Sequence, residues 1–172
     1  RKPSRGAKEV ETKRVRESIG SFAIGGHAGP VVSGLTIRKF IDNVGFQFTG
    51  WTSSDKTGRF DMANARILYR LADTLVMNNI MSVYVGYGAG NSYDSQRTEE
   101  EGSERRVLSE WILGLEIPTY SPNAQHENVV FALLSNLDNS FLTLELSLST
   151  ITTNEVLESE GIAVSGGLLF YF

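Results

Sequence analysis

The chain has 172 residues, no Cys, 17 Gly against 4 Pro, 41 % hydrophobic residues and a formal net charge of −4. That length sets one domain, and the missing cysteine excludes disulfides and thiolate metal sites. No run approaches the roughly 18–20 apolar residues of a spanning helix, yet the mean hydropathy of −0.14 leaves a membrane β-barrel open, because alternating faces average towards zero.

Charge is placed unevenly from the first residues. Arg1, Lys2, Arg5, Lys8, Lys13, Arg14 and Arg16 stand against only Glu9 and Glu11. Residues 1–18 therefore read as a basic, partly helical, solvated tail. Nucleic-acid or anionic-lipid binding is the other reading of such a run. The expectation adopted is a tail whose Lys8, Lys13, Arg14 and Arg16 dock a protein partner, with no nucleic-acid role. A secreted reading requires a leader already removed.

Residues 19–172 carry strict alternation, the period of a strand with one apolar face. Strands are expected at about 19–28, 32–41, 43–53, 59–71, 79–90, 107–117, 140–150 and 161–172. In the first, Phe22, Ile24 and Ala28 oppose Ser21, Ala23, Gly25 and His27. Leu35 and Ile37 then oppose Thr36 and Arg38, and Val44, Phe46 and Phe48 oppose Gly45, Gln47 and Thr49. Alternation alone turns Trp51 inward, so a bulge or a loop-end position is needed there. Ala65, Ile67, Tyr69 and Leu71 oppose Asn64, Arg66, Leu68 and Arg70. Met81, Val83, Val85 and Tyr87 oppose Ser82, Tyr84, Gly86 and Gly88.

Trp111, Leu113, Leu115 and Ile117 face away from Glu110, Ile112, Gly114 and Glu116. Leu142, Leu144, Leu146 and Leu148 oppose Thr143, Glu145, Ser147 and Ser149. Connections alternate in character: Asp42-Asn43 and 73–79 are short, whereas 53–58, 91–106 and 151–160 are longer and polar. Residues 126–137 hold Val129, Val130, Leu133, Leu134 and Leu137 on one helical face. A short amphipathic helix is favoured there over a ninth strand, which would break the even count.

The chain ends on Ile162, Val164, Gly166, Leu168, Phe170 and Phe172 along one strand face. An open apolar edge of this kind invites aggregation in a soluble protein, whereas a closed barrel in lipid requires it. Leu168, Phe170 and Phe172 resemble the C-terminal assembly signal of bacterial outer-membrane β-barrels. With residues 33–50, an alternating hairpin about Asp42-Asn43, and the stretch 84–90, the pattern is similar to the small eight-stranded class of OmpA- and OmpX-like barrels. The resemblance covers residues 19–172. It implies an all-β, antiparallel, up-and-down transmembrane barrel in the bacterial outer membrane, in contact with its lipid and inserted by the barrel assembly machinery. It also implies a structural or anchoring role.

Alternation turns Arg38, Arg66, Arg70, Glu110, Glu116 and Glu145 inward. An eight-stranded barrel is filled by side chains, and buried charges must be paired, so these six are expected to form an ion-pair core. The alternative use of such carboxylates is acid–base catalysis. His27 could serve a lipid-modifying enzyme as a general base, but no Gly-x-Ser-x-Gly motif accompanies it and Ser, His and an acid are needed together. The Glu99–Glu101 run lacks calcium-loop spacing, and Gly86-x-Gly88-x-Gly90 has no following Lys-Ser/Thr. No catalytic residue, metal or cofactor is therefore assigned. A soluble lipocalin-like barrel is the third reading, and it would turn the apolar face inward.

Overall fold

The computed structural model describes residues 20–54, 58–76, 79–96, 104–119, 140–153 and 156–172. The basic tail with Lys8, Lys13, Arg14 and Arg16, His126, and the helix-or-strand question at 126–137 lie outside these residues. Eight strands run in chain order: β1 (Phe22–Ala28), β2 (Gly34–Ile41), β3 (Val44–Ser54), β4 (Gly58–Val76), β5 (Asn79–Gln96), β6 (Glu104–Pro118), β7 (Ser140–Thr153) and β8 (Val156–Tyr171). Each pairs antiparallel with its neighbour, and β8 pairs back onto β1, so the sheet is a closed up-and-down barrel. Among the described residues no helix occurs.

The register fixes the barrel's size. One ladder row runs Ala23, Arg38, Gln47, Arg66, Gly88, Glu110, Ser149, Gly161. Across the closing seam Ala23 faces Tyr171 instead. Gly161 and Tyr171 are ten residues apart, which is the stagger of the sheet. Eight strands with that stagger tilt by about 40° and enclose a backbone cylinder of roughly 8 Å radius. Side chains from all eight strands fill so narrow a space.

Sidedness follows the sequence pattern. Phe46, Phe48, Ile67, Tyr69, Tyr87, Trp111, Leu113, Leu144, Leu146, Leu148, Ile162 and Val164 all point outward and are exposed. Their inward neighbours Arg38, Gln47, Thr49, Arg66, Glu110, Glu116, Thr143, Glu145 and Ser147 are buried. Along β8 the outward belt reaches from Phe172 to Ile162, which at this tilt is about 25 Å of height.

Several strands are longer than their apolar stretches. The polar segments expected as loops at 91–106 and 151–160 continue the ladder as far as Asp94 opposite Glu104 and Thr153 opposite Val156. They have no apolar face, so hydrophobic period could not reveal them. Register shifts lie between Arg70 and Ala72 and between Ile151 and Thr152. The rim opposite the chain ends is uneven, because β1 stops at Ala28 and β2 starts at Gly34. Trp51 stands above that low point with no β2 partner, so its 56 % exposure is a loop-end effect. At the other end Asp42 takes a left-handed φ of 54° in the tight β2–β3 turn, a conformation Asp tolerates.

Candidate functional site

Large interior side chains sit opposite glycines. Phe40 faces Gly45, Leu68 faces Gly86, Arg66 faces Gly88 and Tyr84 faces Gly114. A Cβ on Gly45 would lie 2.6 Å from the Phe40 ring, and one on Gly88 would lie 2.8 Å from Arg66 Cγ. At Gly114 the Tyr84 ring occupies the place of a side chain. In a narrow barrel these glycines supply the volume that lets long side chains cross the interior.

What crosses is a charge network. Arg38 donates from Nε to Gln47 Oε1 at 2.7 Å, from Nη1 to Glu116 Oε2 at 2.7 Å and from Nη2 to Glu145 Oε1 at 3.3 Å. Arg66 donates from Nε to Glu110 Oε1 at 2.7 Å and from Nη1 to Glu145 Oε2 at 2.8 Å. The Tyr84 hydroxyl donates to Glu145 Oε1 at 2.6 Å, and its ring lies 4.9 Å from the Arg38 guanidinium carbon. Glu145 is the hub, joining β2, β4 and β5 to β7. Each guanidinium thus meets two carboxylates, the arrangement that offsets desolvation of buried charge.

Five of the six inward charges expected from alternation meet in this network. The sixth, Arg70, lies nearer the end that carries the termini. It stacks 3.8 Å over the Phe40 ring and stands 3.7 Å from Asp73. Asp73 is brought to the inner face by the register shift after Arg70, which alternation without a bulge does not anticipate. Gln47 and Tyr84 complete the network. Both share the inward face in the sequence, but their polarity singles them out less than formal charge does.

Apolar packing flanks the charges. Phe40, Leu68, Tyr84 and Ile112 form one buried cluster, and Ala23, Phe141, Leu169 and Tyr171 form another. Phe141 and Tyr171 meet edge to face at 5.2 Å. Towards the opposite rim the interior turns to hydroxyls, with Thr36 and Thr49 hydrogen-bonded at 2.9 Å.

His27 is buried, with Nε2 3.5 Å from Glu145 Oε2. It therefore points into the network rather than towards the outer wall. Leu168, Phe170 and Phe172 lie at the closing seam, where Phe170 faces Ile24 and Phe172 N donates to Phe22 O at 2.8 Å. Among the described residues no three His, Asp or Glu side chains come together as a metal set. No family model matches the chain, and neither does any curated protein or solved structure.

Proposed function

We propose that this chain is a bacterial outer-membrane β-barrel that acts as a structural or anchoring element rather than as an enzyme or a pore. One observation carries the reading: the exposed wall is an apolar belt about 25 Å tall, the height of the outward band in outer-membrane barrels, while the charged residues of that span are buried apart from Lys39, which is exposed opposite Phe22 towards the Phe172 end of the belt. In water, exposing Trp111, Leu113, Leu146 and Leu148 together would be a strong drive to aggregate. Against acyl chains it costs nothing, and closure pairs the seam backbone from Ala23 opposite Tyr171 to Ala28 opposite Gly166.

The same sidedness argues against a soluble ligand-binding barrel, whose apolar face lines its interior. Among the described residues the ion-pair network and the two apolar clusters occupy the interior, which argues against conduction. Catalysis on lipid has no support from His27, which faces Glu145 inside the barrel. On this reading Leu168, Phe170 and Phe172 are the segment the assembly machinery engages. The basic tail, Lys8, Lys13, Arg14 and Arg16, reaches a periplasmic protein.

The test is whether the chain needs detergent to remain monomeric and migrates faster in gels before boiling than after. A detergent-free soluble monomer would refute the membrane assignment. For the tail, deletion of residues 1–18 should remove a co-purifying periplasmic protein while leaving the barrel's migration unchanged.

A further inference from the structure

We infer that the outward face of β3–β6, at the rim opposite the chain ends, seats one anionic phosphate-bearing lipid. Its ester region lies in a notch of the wall and its phosphate between Arg59 and Arg105. This rests on the membrane reading above and assigns that barrel a specific lipid class.

The notch has a volume of about 360 Å³. Its floor is one ladder row of short side chains, Gly50 opposite Ala63 and Ala63 opposite Asn91. Phe48 and Trp51 wall it on the β3 side and Tyr93 on the β5 side, and all three rings are exposed. Beneath the floor Ala65 and Ala89, paired and exposed, continue the shelf down onto the apolar belt.

Depth assigns the occupant. Gly50 lies about 5 Å below the level of Ile162 and Asn91 lies level with it, so the notch is at the top of the belt, where hydrocarbon meets the polar interface. The next outward row is polar: Thr52 opposite Asp61, Asp61 opposite Tyr93, and Tyr93 opposite Arg105. Arg59 and Arg105 are exposed, about 8 Å above the level of Ile162, within the headgroup region. Asp61 Oδ2 accepts from Arg59 Nε at 2.7 Å, and its Oδ1 accepts from Thr52 Oγ1 at 2.6 Å.

Charge selects the headgroup. Arg59 and Arg105 against Asp61 give this row one net positive charge. The two arginine Cα atoms stand about 12 Å apart by the strand spacing, close enough for both guanidiniums to approach one phosphate over Tyr93. A zwitterionic lipid brings its own amine to that phosphate, whereas an anionic lipid leaves the charge to the arginines. Exposed Trp and Tyr at this depth suit a lipid rather than a free phosphate.

The experiment is native mass spectrometry of the full chain released from nanodiscs of phosphatidylcholine and phosphatidylglycerol in equal parts, with matched acyl chains. One phosphatidylglycerol per chain should be retained about fivefold over phosphatidylcholine, and Arg105→Gln should abolish most of that preference, the weight of one basic residue near a lipid surface. Ala63→Leu, which fills the notch and leaves every charge in place, should lower retention as much. Heat-modifiable migration confirms that each variant's barrel is closed. Equal retention of the two lipids, or a dimer of the chain in place of the adduct, would overturn the site and leave the membrane reading intact. Loss in Arg105→Gln with Ala63→Leu unchanged would overturn it too, since charge alone would then attract the lipid without a seat. Failure of the wild-type chain to enter the discs would instead refute the membrane reading, and the site with it.

Discussion

Tyr84 on β5 donates its hydroxyl proton to Glu145 on β7 at 2.6 Å, across the barrel interior. The same carboxylate accepts from Arg38 and Arg66, so it compensates two buried cations at once. Glu145→Gln should cost more than Tyr84→Phe. Removing one member of a buried charge set costs about 3–5 kcal/mol, and losing a hydrogen bond to a charged group costs about 1.5–3 kcal/mol. Urea unfolding of the chain in lipid vesicles measures both. If Glu145→Gln is neutral, the hub role is wrong.

Replacing Arg66 together with both of its carboxylates by apolar residues should behave differently from breaking the network, since the Arg38–Glu116 pair stays matched. A combined Arg66→Met, Glu110→Leu, Glu145→Met variant should recover much of what Glu145→Gln loses, because no unpaired charge remains buried. A triple variant that is less stable than the single one would show that the charges hold more than one another.

The interior glycines predict a position-dependent response. Gly114→Val meets the Tyr84 ring, and Gly88→Val meets Arg66 and Glu110. Each should lower stability by about 1–3 kcal/mol through overpacking or reduce folding yield. A Cβ on Gly26 meets nothing within 4 Å, so Gly26→Ala should fold as the parent does. Equal behaviour at all three positions would contradict the packing described.

Depth in the belt gives a direct test of lipid contact. Leu146 lies near the middle of the outward wall, and Leu146→Arg should destabilise by about 2–4 kcal/mol in vesicles. Asn91, outward on β5 but about 23 Å above the level of Phe22, should accept Arg within about 1 kcal/mol. A flat profile along the wall would count against lipid on that face.

The seam residues carry an in-cell expectation. Deleting Phe172 removes its donation to Phe22 O and the last side chain of the apolar face. Expressed with a secretion leader, the deletion variant should show less heat-modifiable protein in the outer membrane than Leu113→Met, an outward substitution of similar volume. Equal yields would detach Phe172 from assembly.

Much of the fold was legible because one physical rule repeats. Leu142 to Leu148 alternate with Thr143 to Ser149, and a barrel this narrow has only an inside and an outside for them. The same rule turns Arg38, Arg66, Glu110, Glu116 and Glu145 inward without naming their partners. Partners were not legible, because which strands face each other across the interior depends on the stagger, and the stagger is set by pairing around the whole cylinder. Arg38 reaching Glu145 is a consequence of that closure. Arg70 parted from the set since one register shift turned Asp73 towards it. The extensions at 91–96 and 104–106 are not legible in the sequence, because strands without an apolar face leave no hydrophobic period.

The seam between β1 and β8 runs only from Ala23 opposite Tyr171 to Ala28 opposite Gly166, whereas β4 and β5 remain zipped from Gly58 opposite Gln96 to Val76 opposite Asn79. Under tension applied at Gly20 and Phe172, rupture should begin at this short join, which is no longer than the one between β1 and β2. The long central hairpins should surrender last, giving single-molecule force traces an early small yield followed by larger ones.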